Sequence, residues 1–178
     1  MTRHPWKRLL AWIVDWLIIL VWVAVVAAVG VPLYLTGITI AMPVLWLNVV
    51  ATVTLVVPIT VLLAGLEASA KEASLGKRLA RLRVVSLRAG DRLSFGRAMV
   101  RNSLKIAVPW VIGHAAVYGI VSTSGSAIVV PMWIWVVTGL AYVLPVTYLV
   151  SLFVGTGRTP YDRLSGAAVV AASAKSLE

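Results

Sequence analysis

Few side chains in this sequence can do chemistry, and those that can stand in unusual places. Six acids face sixteen lysines and arginines across 178 residues. Asp15 closes the stretch WKRLLAWIVDW (residues 6–16), seven residues after Arg8, and the next charged residue is Glu67. A run this apolar reads as a helix, on which seven residues make about two turns, so Arg8 and Asp15 share a face. Asp15 is carried roughly 10 Å beyond Arg8 towards hydrocarbon, where an ionised carboxylate is costly and needs a cation or a proton. Helical side chains lean towards the N-terminus, so Arg8 is directed out to the membrane surface, away from Asp15. The partner of Asp15 is therefore expected elsewhere in the chain, at Arg101 or Lys105.

Glu67, Arg101, Asn102 and Asp162 are expected at the same depth as Arg8 and Asp15, at or just inside one membrane boundary. Two chemistries suit such a set. A buried carboxylate without a close cation takes up a proton, as a proton carrier requires, whereas one held by a fixed arginine is a structural tie. His114 falls near mid-span as a candidate proton relay, although a lone histidine more often bonds a neighbouring carbonyl. With no cysteine and only His4 and His114, no metal site or cofactor is expected. Gly76-Lys77 ends no phosphate loop, since Lys71 rather than glycine stands five residues before Gly76. Neither G-x-S-x-G nor H-E-x-x-H occurs, and no enzyme activity is expected.

The elements that must position these residues follow from where charge is missing. The chain is 61% apolar and 12% charged, with mean hydropathy +0.97. Residues 16–66 and 106–157 contain no Asp, Glu, Lys or Arg. About 20 apolar residues cross a bilayer, so each void holds two crossings and a connection. The expectation is an all-α membrane protein, a single domain over 1–176, with four spans near 9–29, 44–66, 106–121 and 131–154. The first run is too long for a signal peptide and carries Asp15, so it reads as a retained span. Leu177 and Glu178 are set aside as an added tail.

The insert 67–105 holds ten lysines and arginines against Glu67, Glu72 and Asp91. The positive-inside rule puts that insert, both termini and the tail 155–176 on the cytoplasmic side of a cell membrane. The +10 net charge lies where topology already demands it, so nucleic acid is not an expected partner. The expected partners are the bilayer, anionic headgroups along the basic insert, and a second copy or another membrane protein. Within the insert, LRVVSL and RLSF around the turn 88–91 read as a short β-hairpin, with AAVVAAS as a further strand beside LRVVSL. Ser94 caps a helix that feeds the third span, Pro58 should kink the second, and Thr159-Pro160 opens a short helix around Asp162.

In this order the pieces resemble the RDD family of small prokaryotic membrane proteins, named for an Arg and an Asp in the first span and a later Asp. KRLLAWIVDW supplies Arg8 and Asp15, and PYDRLSGAAVV supplies Asp162. SLGKRLARLRVV, AGDRLSF and VRNSLK resemble the family's central stretch, so the likeness covers about Trp6 to Val170. Tyr161 stands where the family often has His, so no role of that His carries over. The resemblance implies a transport-related protein of the prokaryotic inner membrane, with monovalent cation/proton antiport as the specific expectation and Asp15 as the exchanging carboxylate. The alternative is a non-catalytic accessory or scaffold subunit of a larger membrane complex, held by a charge network. Four spans with no internal repeat are few for a complete carrier.

Overall fold

The computed structural model describes residues 4–37, 43–88, 90–123 and 129–172. Most of both expected outer connections (38–42 and 124–128), Ala89 of the expected hairpin turn, and the tail from 173 lie outside the described residues. In chain order the elements are α1 (Pro5–Leu35), α2 (Leu45–Glu67), α3 (Leu75–Leu79) and β1 (Leu82–Ser86). They are followed by α4 (Phe95–Thr123), α5 (Met132–Phe153), α6 (Pro160–Leu164) and β2 (Ala167–Ala171). The long helices α1, α2, α4 and α5 are each apolar and long enough to cross a membrane.

Two of the four depart from the expected bounds. Helix α1 continues through Gly30 and Pro32 to Leu35, and Gly37, with a positive φ of 81°, then turns the chain away. Its 31 residues are about 46 Å long at 1.5 Å per residue, more than the roughly 30 Å hydrocarbon core. Helix α4 begins at Phe95, because the helix capped at Ser94 runs into the third span without a break.

Two of the span prolines, Pro58 and Pro109, follow a widened turn of helix. A π-helical turn, Thr52–Val56, precedes Pro58, and a second, Ser103–Ala107, precedes Pro109. An aromatic side chain from a neighbouring helix donates to a carbonyl within each of these turns. Trp22 Nε1 donates to Thr54 O at 3.0 Å, and the Tyr148 hydroxyl donates to Leu104 O at 2.8 Å.

The expected hairpin is reduced to its turn end, where the Ser86 N–H donates to Asp91 O at 2.8 Å. RLSF has room for one bridge, Val85 to Arg92, before Ser94 starts α4 and Leu93 turns into the core. On its other edge β1 pairs antiparallel with β2, from Leu82↔Ala171 to Ser86↔Ala167, as the strand reading of AAVVAAS anticipated. This ribbon lies across one end of the bundle. Val84, Leu93 and Ala167 pack on Ala64 of α2 and Ala98 of α4, and Leu82 packs with Ala80 on Ala11 of α1. Helices α2 and α4 pack together, α4 and α5 form an antiparallel pair, and α3 lies on α1.

Candidate functional site

Apolar residues dominate the exposed surface of α1, while its two buried residues are Ala11 and Asp15, one turn apart. Helix α3 presses on them. Gly76 has no side chain, and a Cβ there would overlap the Ala11 carbonyl oxygen, so only glycine permits this approach. The approach brings the Gly76 N–H to Asp15 Oδ1 at 2.9 Å, while the Ser74 hydroxyl donates to Oδ2 at 2.7 Å. The Lys77 ammonium sits 3.8 Å from Oδ2 and donates to Ser74 Oγ at 3.1 Å.

From Lys77 the network passes to the ends of α2 and α4. Lys77 Nζ donates to Glu67 Oε1 at 2.7 Å, and Arg101 Nη1 donates to the same oxygen at 2.6 Å. Asn102 Nδ2 donates to Glu67 Oε2 at 2.9 Å and to Ala98 O at 2.9 Å. Arg101 turns its Nε to Asp162 Oδ1 at 2.8 Å and lies 5.3 Å from the Tyr161 ring centroid, so its charge is held on two sides and over an aromatic face.

Asp162 is fixed by its own short helix. Thr159 and Asp162 form a reciprocal capping box, with Pro160 at the first helical position and Gly166 in the left-handed conformation after the end. Arg8 reaches across from α1, donating to Asp162 Oδ2 at 2.5 Å and to the Gly157 carbonyl. Burial alone would raise the Asp162 pKa. The guanidiniums of Arg101 and Arg8, with hydrogen bonds from Arg8 and Thr159, outweigh it and bring the carboxyl from 3.8 down to about 2. Burial, and then the Asp162 carboxylate, push the Tyr161 hydroxyl up.

One connected path, Arg8–Asp162–Arg101–Glu67–Lys77–Asp15, with Asn102 on Glu67, thus joins all six residues expected at the boundary. Asp15, Glu67, Arg101, Asn102 and Asp162 are each at most 2% exposed. Comparison with protein families finds the RDD family model matching residues 2–166. The chain belongs to the RDD family. No curated protein and no solved structure matches it. Family membership and four apolar helices make it an integral, multi-pass membrane protein.

One expectation for this RDD chain needs correcting. Neither Arg101 nor Lys105 bonds Asp15. Arg101 is committed to Glu67 and Asp162, and Asp15 is held from α3 by Ser74, Gly76 and Lys77. Arg8 lies under α6, its side chain 11% exposed. It does point away from Asp15, as helix geometry requires. His114 stands apart from the network. Its Nδ1 is 3.1 Å from Trp110 O, one turn back, and its ring stacks on Trp110 at 3.8 Å.

Sequence reasoning missed Ser74, Gly76 and Lys77. The signal was present in S-L-G-K, where a serine at a helix start precedes Gly-Lys. It reads as a phosphate loop that fails, and nothing local says that the glycine lies against a helix sixty-five residues earlier.

Proposed function

We propose that the buried network is a structural clamp, and that the protein is a non-catalytic scaffold or accessory subunit of a membrane assembly. The observation behind this is saturation. Asp15, Glu67 and Asp162 are met by Lys77, Arg101 and Arg8, and neutral donors fill the remaining carboxylate sites. A carboxylate whose oxygens are all engaged by a cation and by fixed donors is held in place, which suits a tie better than a group that must exchange its partner ion. The proposal puts the clamp, the basic insert and both termini at the cytoplasmic face of a prokaryotic inner membrane, following the lysine and arginine distribution. It assigns no catalytic step and no cofactor. Native-detergent affinity purification tests it. A partner protein recovered in fixed ratio supports the scaffold, and a chain recovered only alone or as a homo-oligomer removes it.

Monovalent cation/proton antiport is the second reading, and one observation favours it. A void of about 20 Å³ touches Asp15 between Ile18, Ile59 and Leu63, enough for roughly one water. Lys105, in the π-helical turn of α4 with Glu67 and Asp15 among its nearest charges, forms no ion pair with any described residue. In this reading Asp15 trades a proton for a cation while Lys105 balances the charge. Proteoliposomes under a pH gradient decide it. Cation-driven proton flux that vanishes in Asp15→Asn supports the carrier, and flux that is absent or unchanged excludes Asp15 as its exchanging group.

A further inference from the structure

On the outside of the same end lies a second concentration of charge with the opposite character. A depression of about 750 Å³ is lined by Arg88 after β1, Arg97 on the first turn of α4, Arg158 before α6 and Arg163 on α6. No acidic residue lines it. None of the four guanidiniums makes an ion pair with a described carboxylate, whereas the cations of the clamp are all matched. Two of them are oriented by neutral oxygens. Arg158 Nε donates to Ala167 O at 3.2 Å, and Arg97 Nη1 donates to Ser86 Oγ at 3.4 Å. Three chain stretches converge to place four like charges around one space, an arrangement that repels itself unless an anion fills it. Planar guanidinium forks match the oxygens of a phosphate.

We infer that this depression is a binding site for a phosphate-bearing anion, and that its occupant is the headgroup of an anionic phospholipid. Dissolved phosphate shares the chemistry, but two features favour lipid. Arg97 and Val100 lie on the opening turns of a membrane-crossing helix, at the depth of headgroups rather than of bulk water. The lining also presents Leu87, Val100 and Leu164, which are 41%, 49% and 71% exposed and offer apolar surface beside the charges. The site rests on the membrane reading of the chain, and holds whether the clamp is only structural or also moves ions.

Native mass spectrometry of the detergent-purified protein, offered equal phosphatidylglycerol and phosphatidylcholine, tests the inference. The wild-type chain retains phosphatidylglycerol about tenfold over phosphatidylcholine. Arg88→Gln/Arg97→Gln/Arg163→Gln removes that preference. Lys71→Gln/Arg81→Gln/Arg92→Gln, which takes equal charge from exposed positions outside the depression, keeps it. Arg158 is left in place because its bond to Ala167 O supports β2. Circular dichroism checks that both triple variants keep their helices. Equal loss in the two variants, or unchanged retention in the first, overturns the site. Displacement of the lipid by millimolar inorganic phosphate, with the wild-type chain binding phosphate in the absence of lipid, overturns the lipid assignment and leaves a free-phosphate site.

Discussion

The shafts of the four long helices and their charged end obey opposite rules of burial. Along the shafts the large apolar side chains face outward, with Leu17 58% and Val21 68% exposed. At the charged end, arginine, lysine and carboxylates are buried while ordinary soluble folds would leave them wet. Lipid makes the first arrangement cheap, because an apolar side chain gains little by leaving acyl chains for a protein neighbour. The shafts therefore say little about which helix sits beside which. A guanidinium between two carboxylates accepts far fewer arrangements, since each lost partner leaves a buried charge. The difference teaches that the bundle takes its register from its polar end.

Removing the shared cation is the strongest test of that comparison. Arg101→Gln leaves Glu67 and Asp162 buried with one cationic partner fewer each, and should lower stability in detergent by about 3–5 kcal/mol. A thermal melt within about 1 kcal/mol of wild type would show that the clamp does not hold the bundle. Gly76→Ala acts through space alone. Its methyl group must push α3 off the Ala11 carbonyl, at about 1–3 kcal/mol, and should weaken the contacts around Asp15 without touching a charge. A fully stable Gly76→Ala chain would disprove the close-approach account.

Acid probes the same end without mutation. The folded Asp162 has its pKa depressed from 3.8 to about 2, so its contribution is complete above about pH 4 and is lost as pH falls through 2. The loss amounts to about 2 kcal/mol. Melts followed between pH 5 and pH 2 should show it, and Asp162→Asn should flatten that slope. A smaller effect is expected outside the clamp. Arg83 pairs with Glu72 at 3.2 Å, with the arginine side chain 35% exposed, and Glu72→Gln should cost under about 1 kcal/mol. Least of all is expected on the shafts, where Leu17→Ala and Val21→Ala should stay within about 0.5 kcal/mol in lipid nanodiscs. Shaft losses comparable to that of Arg101→Gln would erase the contrast between the two regions.

Much of this was legible in the residues alone. The two charge-free stretches are long enough for two crossings each, and hydrocarbon admits little else but helix, so four spans follow from composition and length. Six members of the clamp were also readable, because their polar side chains sit where span ends must lie, whereas Ser74, Gly76 and Lys77 were not. Thr159, Pro160 and Gly166 announced the helix that holds Asp162, since capping is local chemistry.

The pairing was decided only by the tertiary structure. Asp15 takes its partners from α3 because Gly76 lets two backbones touch across sixty-five residues of sequence, and no periodicity encodes that contact. LRVVS pairs over five positions with AAVVA on one edge, whereas on the other edge RLSF adds a single bridge because Ser94 commits that segment to helix. Lipid solvation and hydrogen bonding along a helix act on neighbours in the chain and can be read from it. Which carboxylate each buried cation meets depends on how separate elements pack, and distances of a few ångströms decide it.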